Sequence, residues 1–249
     1  MSSTATILQA GYVLRHMRAL PIAAFDAIAP GTSLILAPHP DDESLGCGGL
    51  IAEAVARGRP PFVVCVTDGA ASHPGSRDYP PARLARLREA EMLAACEELG
   101  LAGDRVTFLK LPDAAAPWDG TAFDGAVARI VSLIRDHDVS AMFATWAHDP
   151  HCDHAATATL ARRAARVAGI TLKFYPVWGW LLPPDDAFGE PVPTGARLDI
   201  TRHLPAKRRA IAAHQSQYTD LITDSPNGFR LPSRLLDVFD APYEVFLDP

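Results

Sequence analysis

A single-domain α/β fold, with a mostly parallel twisted sheet and helices on both faces, follows from three features of this chain. Short apolar runs alternate with longer helical patterns from residue 33 to residue 175. Some of these runs are apolar on both faces, as in Phe62-Val63-Val64-Cys65-Val66, which marks central parallel strands. At 249 residues, with 48% hydrophobic and 21% charged residues, the chain can bury one sizeable core, and wholesale disorder is excluded.

The elements are justified in chain order. Residues 1–31 read as a helical lead-in, apolar at Tyr12-Val13-Leu14 and again from Leu20, interrupted by Pro21 and closed by Pro30-Gly31. Residues 33–37 form a buried-type strand. The helix after it spans about 43–57 and is stopped by Gly58 and Pro60-Pro61. A β-branched strand at 62–66 leads through a polar Gly/Pro loop (68–81) to a long helix at 82–99, ended by Gly100. The strand at 105–109 is followed by a loop with Pro112, Pro117 and Trp118, then by a helix at 123–137 and a strand at 140–144. A helix at 153–168 ends at Gly169 and feeds a strand at 171–175. Residues 176–195, rich in Pro and Trp, suit a lid or loop over one end of the sheet. A basic amphipathic helix is expected at 205–217, and an edge strand at 243–247.

Composition narrows the function. A net charge of −6 opposes tracking of phosphates, so no nucleic-acid partner is expected. No run approaches the roughly 18 apolar residues of a membrane span, and Met1-Ser2-Ser3-Thr4 does not begin a signal peptide. Cys47, Cys65, Cys96 and Cys152 lack Cys-x-x-Cys spacing and read as reduced thiols, which points to the cytoplasm. The sequence is compatible with a homo-oligomer.

The chemistry lies in two clusters. His39-Pro40-Asp41-Asp42-Glu43-Ser44 follows the first strand of the alternating series, and His148-Asp149-Pro150-His151-Cys152-Asp153-His154 follows the fourth. Open parallel sheets bind ligands beyond the carboxyl ends of their strands, so neighbouring strands would bring both clusters to one crevice. Two imidazoles and one carboxylate there make a three-ligand metal site with an open position for water, the arrangement of catalytic zinc. Such a metal brings the pKa of its water to about 7, and a carboxylate left off the metal can take the proton. The plainer alternatives are an Asp that merely caps the following helix and a solvated polar loop. His39 serves no capping purpose, however, and three histidines alternating with two aspartates within seven residues are unusual for a loop.

The run Ala37-Pro-His-Pro-Asp-Asp-Glu-Ser-Leu-Gly-Cys-Gly-Gly, with His151-x-Asp153-His154, closely resembles the PIG-L/LmbE-like family of zinc-dependent N-deacetylases. Further matches are Thr67-Asp68-Gly69, Arg88-x-x-Glu91 leading to Leu99-Gly100, Leu111-Pro112-Asp113, and Lys207-x-x-Ala210-x-x-x-His214-x-Ser216-Gln217, so the resemblance spans roughly residues 33 to 217. It implies a Rossmann-like fold, with His39, Asp42 and His154 as ligands of Zn2+. The same His/His/Asp set accepts Fe2+. It implies Asp41 as the general base, His151 as the group stabilising the tetrahedral oxyanion, and Asp153 as the group orienting the ring of His151. Arg88 and Asp113 match positions that contact sugar hydroxyls. The implied reaction removes an N-acetyl (or other N-acyl) group from an amino sugar or glycoconjugate, a small-molecule partner.

Cys152 departs from the pattern, standing where a Pro is usual, and is expected to be a small buried residue and not a ligand. Lys207 and His214, seven apart, share nearly one helix face with no derivable task. His148 reads as a plain loop residue. Gly46-Cys47-Gly48-Gly49 falls inside a helix, beside two aspartates that would repel a pyrophosphate, so it is not a dinucleotide loop. It is expected to let the helix pack closely on the sheet. Rival readings are an amidase or deacylase for a larger thiol- or lipid-linked glycoconjugate, for which 178–193 would form a wide apolar channel, and a non-catalytic sugar- or metal-binding module. A phospho-receiver domain would leave the histidines unexplained.

Overall fold

The computed structural model describes residues 8–189 and 191–249. Residues 1–7 of the expected lead-in, and residue 190 of the expected loop region, lie outside the described residues. The described chain opens with β1 (Leu8–Gln9), which pairs antiparallel with β7 (Ala187–Phe188), and continues into helices α1 (Ala10–Arg18) and α2 (Phe25–Ile28).

The alternating pattern then forms as expected: β2 (Thr32–Ala37), α3 (Asp42–Ala56), β3 (Phe62–Thr67), α4 (Pro81–Glu98), β4 (Val106–Leu111), α5 (Gly120–Asp136), β5 (Val139–Thr145), α6 (Cys152–Ala168) and β6 (Thr171–Tyr175). Beyond the Pro/Trp-rich segment come β8 (Gly195–Asp199), α7 (Leu204–Ala213), α8 (Gln215–Tyr218), α9 (Ser233–Phe239) and β9 (Tyr243–Leu247). The main sheet runs in the order β4-β3-β2-β5-β6-β9-β8. The first five strands in that order are mutually parallel, while β9 is antiparallel to both β6 and β8. α3, α4 and α7 pack together on one side and α5 with α6 on the other, as right-handed crossovers in both directions from β2 require.

Three expectations change. β9, expected at an edge, lies inside the sheet, because β8 covers it. β8 gives little sequence signal: only Leu198 of its five residues is buried, so its pattern is that of an exposed border. The helix expected at 205–217 breaks at His214, whose backbone (φ −76°, ψ 60°) leaves the helical region and separates α7 from α8. Residues 176–195 are not wholly irregular, since they hold a short 3-10 turn at Trp178–Leu181, β7 and the start of β8.

The glycine run in α3 packs closely. A Cβ on Gly46 would lie 2.1 Å from the Tyr175 ring, and one on Gly49 would lie 2.3 Å from Ile200. Lys207 also acquires a structural task. Its ammonium lies 2.7 Å from the Glu244 carboxylate, both groups being buried, and Glu244 also accepts the backbone N–H groups of Gly49 and Leu50. This pair ties α7 and β9 to α3. Among the described residues no helix is long and apolar enough to cross a membrane.

Candidate active site

β2 and β5 are neighbours, with β3 and β4 built outward on one side and β6 on the other. The strand order reverses between them, which opens a crevice at their carboxyl ends. His39, Asp41 and Asp42 leave β2 directly into that crevice, and the segment from Trp146 to His154 leaves β5 into it.

The turn after β2 is strained. Asp41 has φ 146° and ψ −29°, a backbone conformation that L-residues rarely adopt and that costs of the order of 1–3 kcal/mol. The carboxylate of Asp41 does not cap α3; it lies 3.3 Å from the Arg88 guanidinium. Asp42, next in the chain, turns its Oδ2 the other way. That oxygen accepts the His39 N–H at 3.0 Å and lies 3.3 Å from both His39 Nδ1 and His154 Nε2.

Asp42 Oδ2 therefore stands between ring nitrogens from the two clusters. Four-coordinate zinc with bonds of 2.0–2.1 Å has ligand atoms about 3.3 Å apart, the spacing of Asp42 Oδ2 from each ring nitrogen. His154 Nε2 is fully buried and, although it lies 3.3 Å from Asp42 Oδ2, makes no well-aligned hydrogen bond, a geometry that suits two donors sharing an ion. The ring nitrogens of His39, His151 and His154 also lie within 4.8 Å of one another. The donor set fits a divalent ion.

Surrounding carboxylates orient these rings. Asp149 Oδ2 accepts from His154 Nδ1 at 2.9 Å, and Asp149 is itself held by the backbone N–H groups of Val177, Trp178 and Gly179. Sequence reasoning assigns Asp149 no role. The available signal is its place five residues before a ligand-type histidine, since metal-binding imidazoles usually give their second N–H to a carboxylate. Asp153 lies elsewhere than expected: its side chain meets His39 Nε2 at 3.0 Å and the backbone N–H groups of Ala114 and Ala116, not the ring of His151. Only its backbone N–H reaches His151, at Nδ1. The loop after β4 draws the Asp153 carboxylate toward its free amides.

Arg88 and Asp113 both border the crevice. Arg88 is buried (3% exposed) and donates to the carbonyls of Pro40 and Gly69 as well as facing Asp41. Asp113 lies 3.2 Å from His39 Nε2 and accepts from Ala71 N–H. Cys152, expected buried, is exposed and points toward Ala114 O. His148 stacks edge-on against Trp146 and Phe188.

The electrostatics are set by carboxylates that face buried imidazoles. Burial pulls His39 down, but hydrogen bonds to Asp113, Asp153 and Asp42 hold it well above its ordinary pKa. His154 rises to about 9 against the cost of burial, through Asp42 and Asp149. Asp42 falls below the usual carboxylate range despite burial, because His154 and His39 face it. Asp41 does the reverse: burial lifts it to about 6, with Arg88 opposing. Burial and the neighbouring His39 and His154 push His151 down, so this ring favours the neutral form.

The crevice has a volume of about 290 Å³. Trp178 and Phe229, edge to face at 5.6 Å, form an aromatic wall, joined by Leu45, Pro74 and Leu231. Gln217 also borders it; its Oε1 is buried with no partner, while its Nε2 donates to Ser216.

Comparison with known proteins points the same way. The family model described as PIG-L, GlcNAc-PI de-N-acetylase, matches residues 34–165. A 1D-myo-inositol 2-acetamido-2-deoxy-alpha-D-glucopyranoside deacetylase from Mycolicibacterium smegmatis is 30% identical, the match covering 78% of this chain and 81% of that protein. An N,N'-diacetylchitobiose deacetylase from Pyrococcus horikoshii superposes with a TM-score of 0.62 at 22% identity, covering 94% of this chain and 89% of the other. A conserved protein from Thermus thermophilus gives a TM-score of 0.62 at 24% identity, covering 87% and 94%.

Proposed function

This chain belongs to the PIG-L family, and on that premise we propose that it is a zinc-dependent hydrolase removing the N-acetyl group from an amino sugar or glycoconjugate. The observation that carries the proposal is the placement of Asp42 Oδ2 at 3.3 Å from both His39 Nδ1 and His154 Nε2, a buried meeting of donors from the two clusters. These three residues would hold the ion. Bound there, a divalent ion supplies Lewis acidity toward water and toward the amide carbonyl.

The remaining steps belong to side chains. Asp41, shielded from solvent and lifted to about 6, takes the proton of the attacking water near neutral pH and returns it to the departing amine. His151 accepts the Asp153 N–H at Nδ1, which leaves its own proton on Nε2 to donate to the developing oxyanion. A preorganised donor of this kind is commonly worth about 3–4 kcal/mol of barrier. Asp149 and Asp153 keep the two ligand rings in place. Arg88 holds Asp41 and the Pro40 carbonyl, so we assign it first to the base and only second to substrate hydroxyls.

The crevice supports an acetylated sugar as substrate. Trp178 and Phe229 offer aromatic faces for the apolar side of a ring, and Asp113 offers an acceptor for a hydroxyl. At about 290 Å³ it falls at the small end of ligand sites, suited to one sugar unit with the remainder outside. Of residues 178–193, only Trp178 borders it among the described residues, which favours acetyl over a long acyl chain. The four free cysteines suit a reducing cytoplasm.

The test is acetate release from a panel of N-acetylated sugars and glycosides, with and without a chelator. Release from N-acetylglucosamine-type substrates that stops on chelation is expected. No release from any member of the panel by zinc-loaded protein would overturn the assignment.

A further inference from the structure

The strained turn that presents Asp41 is held from behind by groups that no step above uses. Asp41 N–H donates to Glu43 Oε2 at 3.0 Å. The other oxygen of Glu43 receives Ser44 Oγ at 2.6 Å and faces His214 Nε2 at 3.0 Å. Glu43 is 0% exposed and His214 1% exposed. His214 occupies the break between α7 and α8, and α8 is fixed in turn to α4, where Glu91 accepts both the N–H and the hydroxyl of Ser216. One helical turn before Glu91, Arg88 reaches the opposite side of the same turn at the Pro40 carbonyl and the Asp41 carboxylate.

We propose that Glu43 and His214 are positioning residues for Asp41, forming a buried brace that holds its backbone at positive φ and so sets where its carboxylate stands. A carboxyl base at this point needs both a side chain and a backbone conformation that side chains disfavour. Glycine would relieve the strain but remove the base. The strain persists only where the surroundings over-determine it, and here one hydrogen bond to a buried carboxylate fixes the amide while Arg88 fixes the adjoining carbonyl. The break at His214 follows from this: a helix running on through residue 214 would carry the imidazole along the α7 axis, whereas the break sets it against Glu43. The charge on Glu43 does not itself enter the reaction, because its oxygens are taken up by Asp41 N–H, Ser44 and His214.

The proposal rests on Asp41 being the base, so the experiment includes a variant that tests that reading alone. Glu43→Ala, Glu43→Gln, His214→Ala and Asp41→Asn are compared in zinc per chain, kcat, KM and, by crystallography, the Asp41 backbone angle. Glu43→Ala is expected to lower kcat at least 100-fold with zinc content and KM nearly unchanged, and to let φ of Asp41 relax. Glu43→Gln keeps an acceptor for Asp41 N–H and is expected to stay within 10-fold of the parent in kcat. Should Glu43→Ala fail to fold, His214→Ala bears the same test with a smaller expected loss, about 10-fold. Parental kcat in Glu43→Ala, or a Glu43→Gln as impaired as Glu43→Ala, would overturn the brace. Full activity in Asp41→Asn would instead overturn the base assignment, whatever Glu43 does.

Discussion

At the scale of single residues, two aspartates adjacent in sequence are given opposite tasks by their surroundings. Asp42 faces two imidazoles and is held ionised; Asp41 is buried beside a single guanidinium and is lifted to about 6. The sign of the effect on stability follows. A carboxyl raised from 3.8 to about 6 by the fold is less favourably ionised there than in the open chain, so stability is lost as pH rises through that window. In metal-stripped protein, Asp41→Asn is expected to raise Tm at pH 8, to change it little at pH 4, and to cost roughly 10²–10⁴-fold in turnover once metal is restored. A Tm lowered equally at both pH values would contradict the assigned shift. Asp149→Ala should weaken metal affinity about 10–100-fold through loss of the bond to His154 Nδ1, read by competition with a chelator. Both clusters are legible in the sequence because ligand-type residues crowd into short spans. Asp149 is not, because nothing local distinguishes a carboxylate that holds a ring from one that meets solvent. The contact of Asp153 with His39 spans 114 residues, so no spacing rule reaches it.

At the scale of elements, the alternating series from β2 to β6 is readable because apolar runs bounded by Gly and Pro repeat through it, and strands buried on both faces leave a strong mark. The C-terminal part is less readable: β8 buries one residue in five, and the break at His214 is imposed by tertiary contacts with Glu43 and Ser44 that override local helix propensity. The glycines of α3 are the packing devices that their place inside a helix predicts, and their geometry makes a prediction. Gly46→Ala would place a methyl 2.1 Å from the Tyr175 ring, whose hydroxyl is bonded to Leu36 O. Overpacking of this kind costs about 1–3 kcal/mol, and a fall in Tm measures it. Gly125→Ala, on α5 with nothing within 4 Å of the added carbon, is the control and should not destabilise. Equal Tm values for the two variants would contradict the packing described for α3.

At the scale of the whole molecule, the sheet topology determines whether the two clusters can meet. They are about a hundred residues apart in the chain, and only the adjacency of β2 and β5 brings them to one crevice. Topology of this sort supports many chemistries, so the donor atoms specify the function and the fold only positions them. The most direct measurement is zinc bound per chain in the parent protein and in His39→Ala, Asp42→Ala and His154→Ala, each confirmed folded. One ion per chain in the parent, with loss of tight binding in all three variants, is predicted. A parent that takes up no divalent ion, or three variants that each keep a full equivalent, would contradict a shared centre built from both loops.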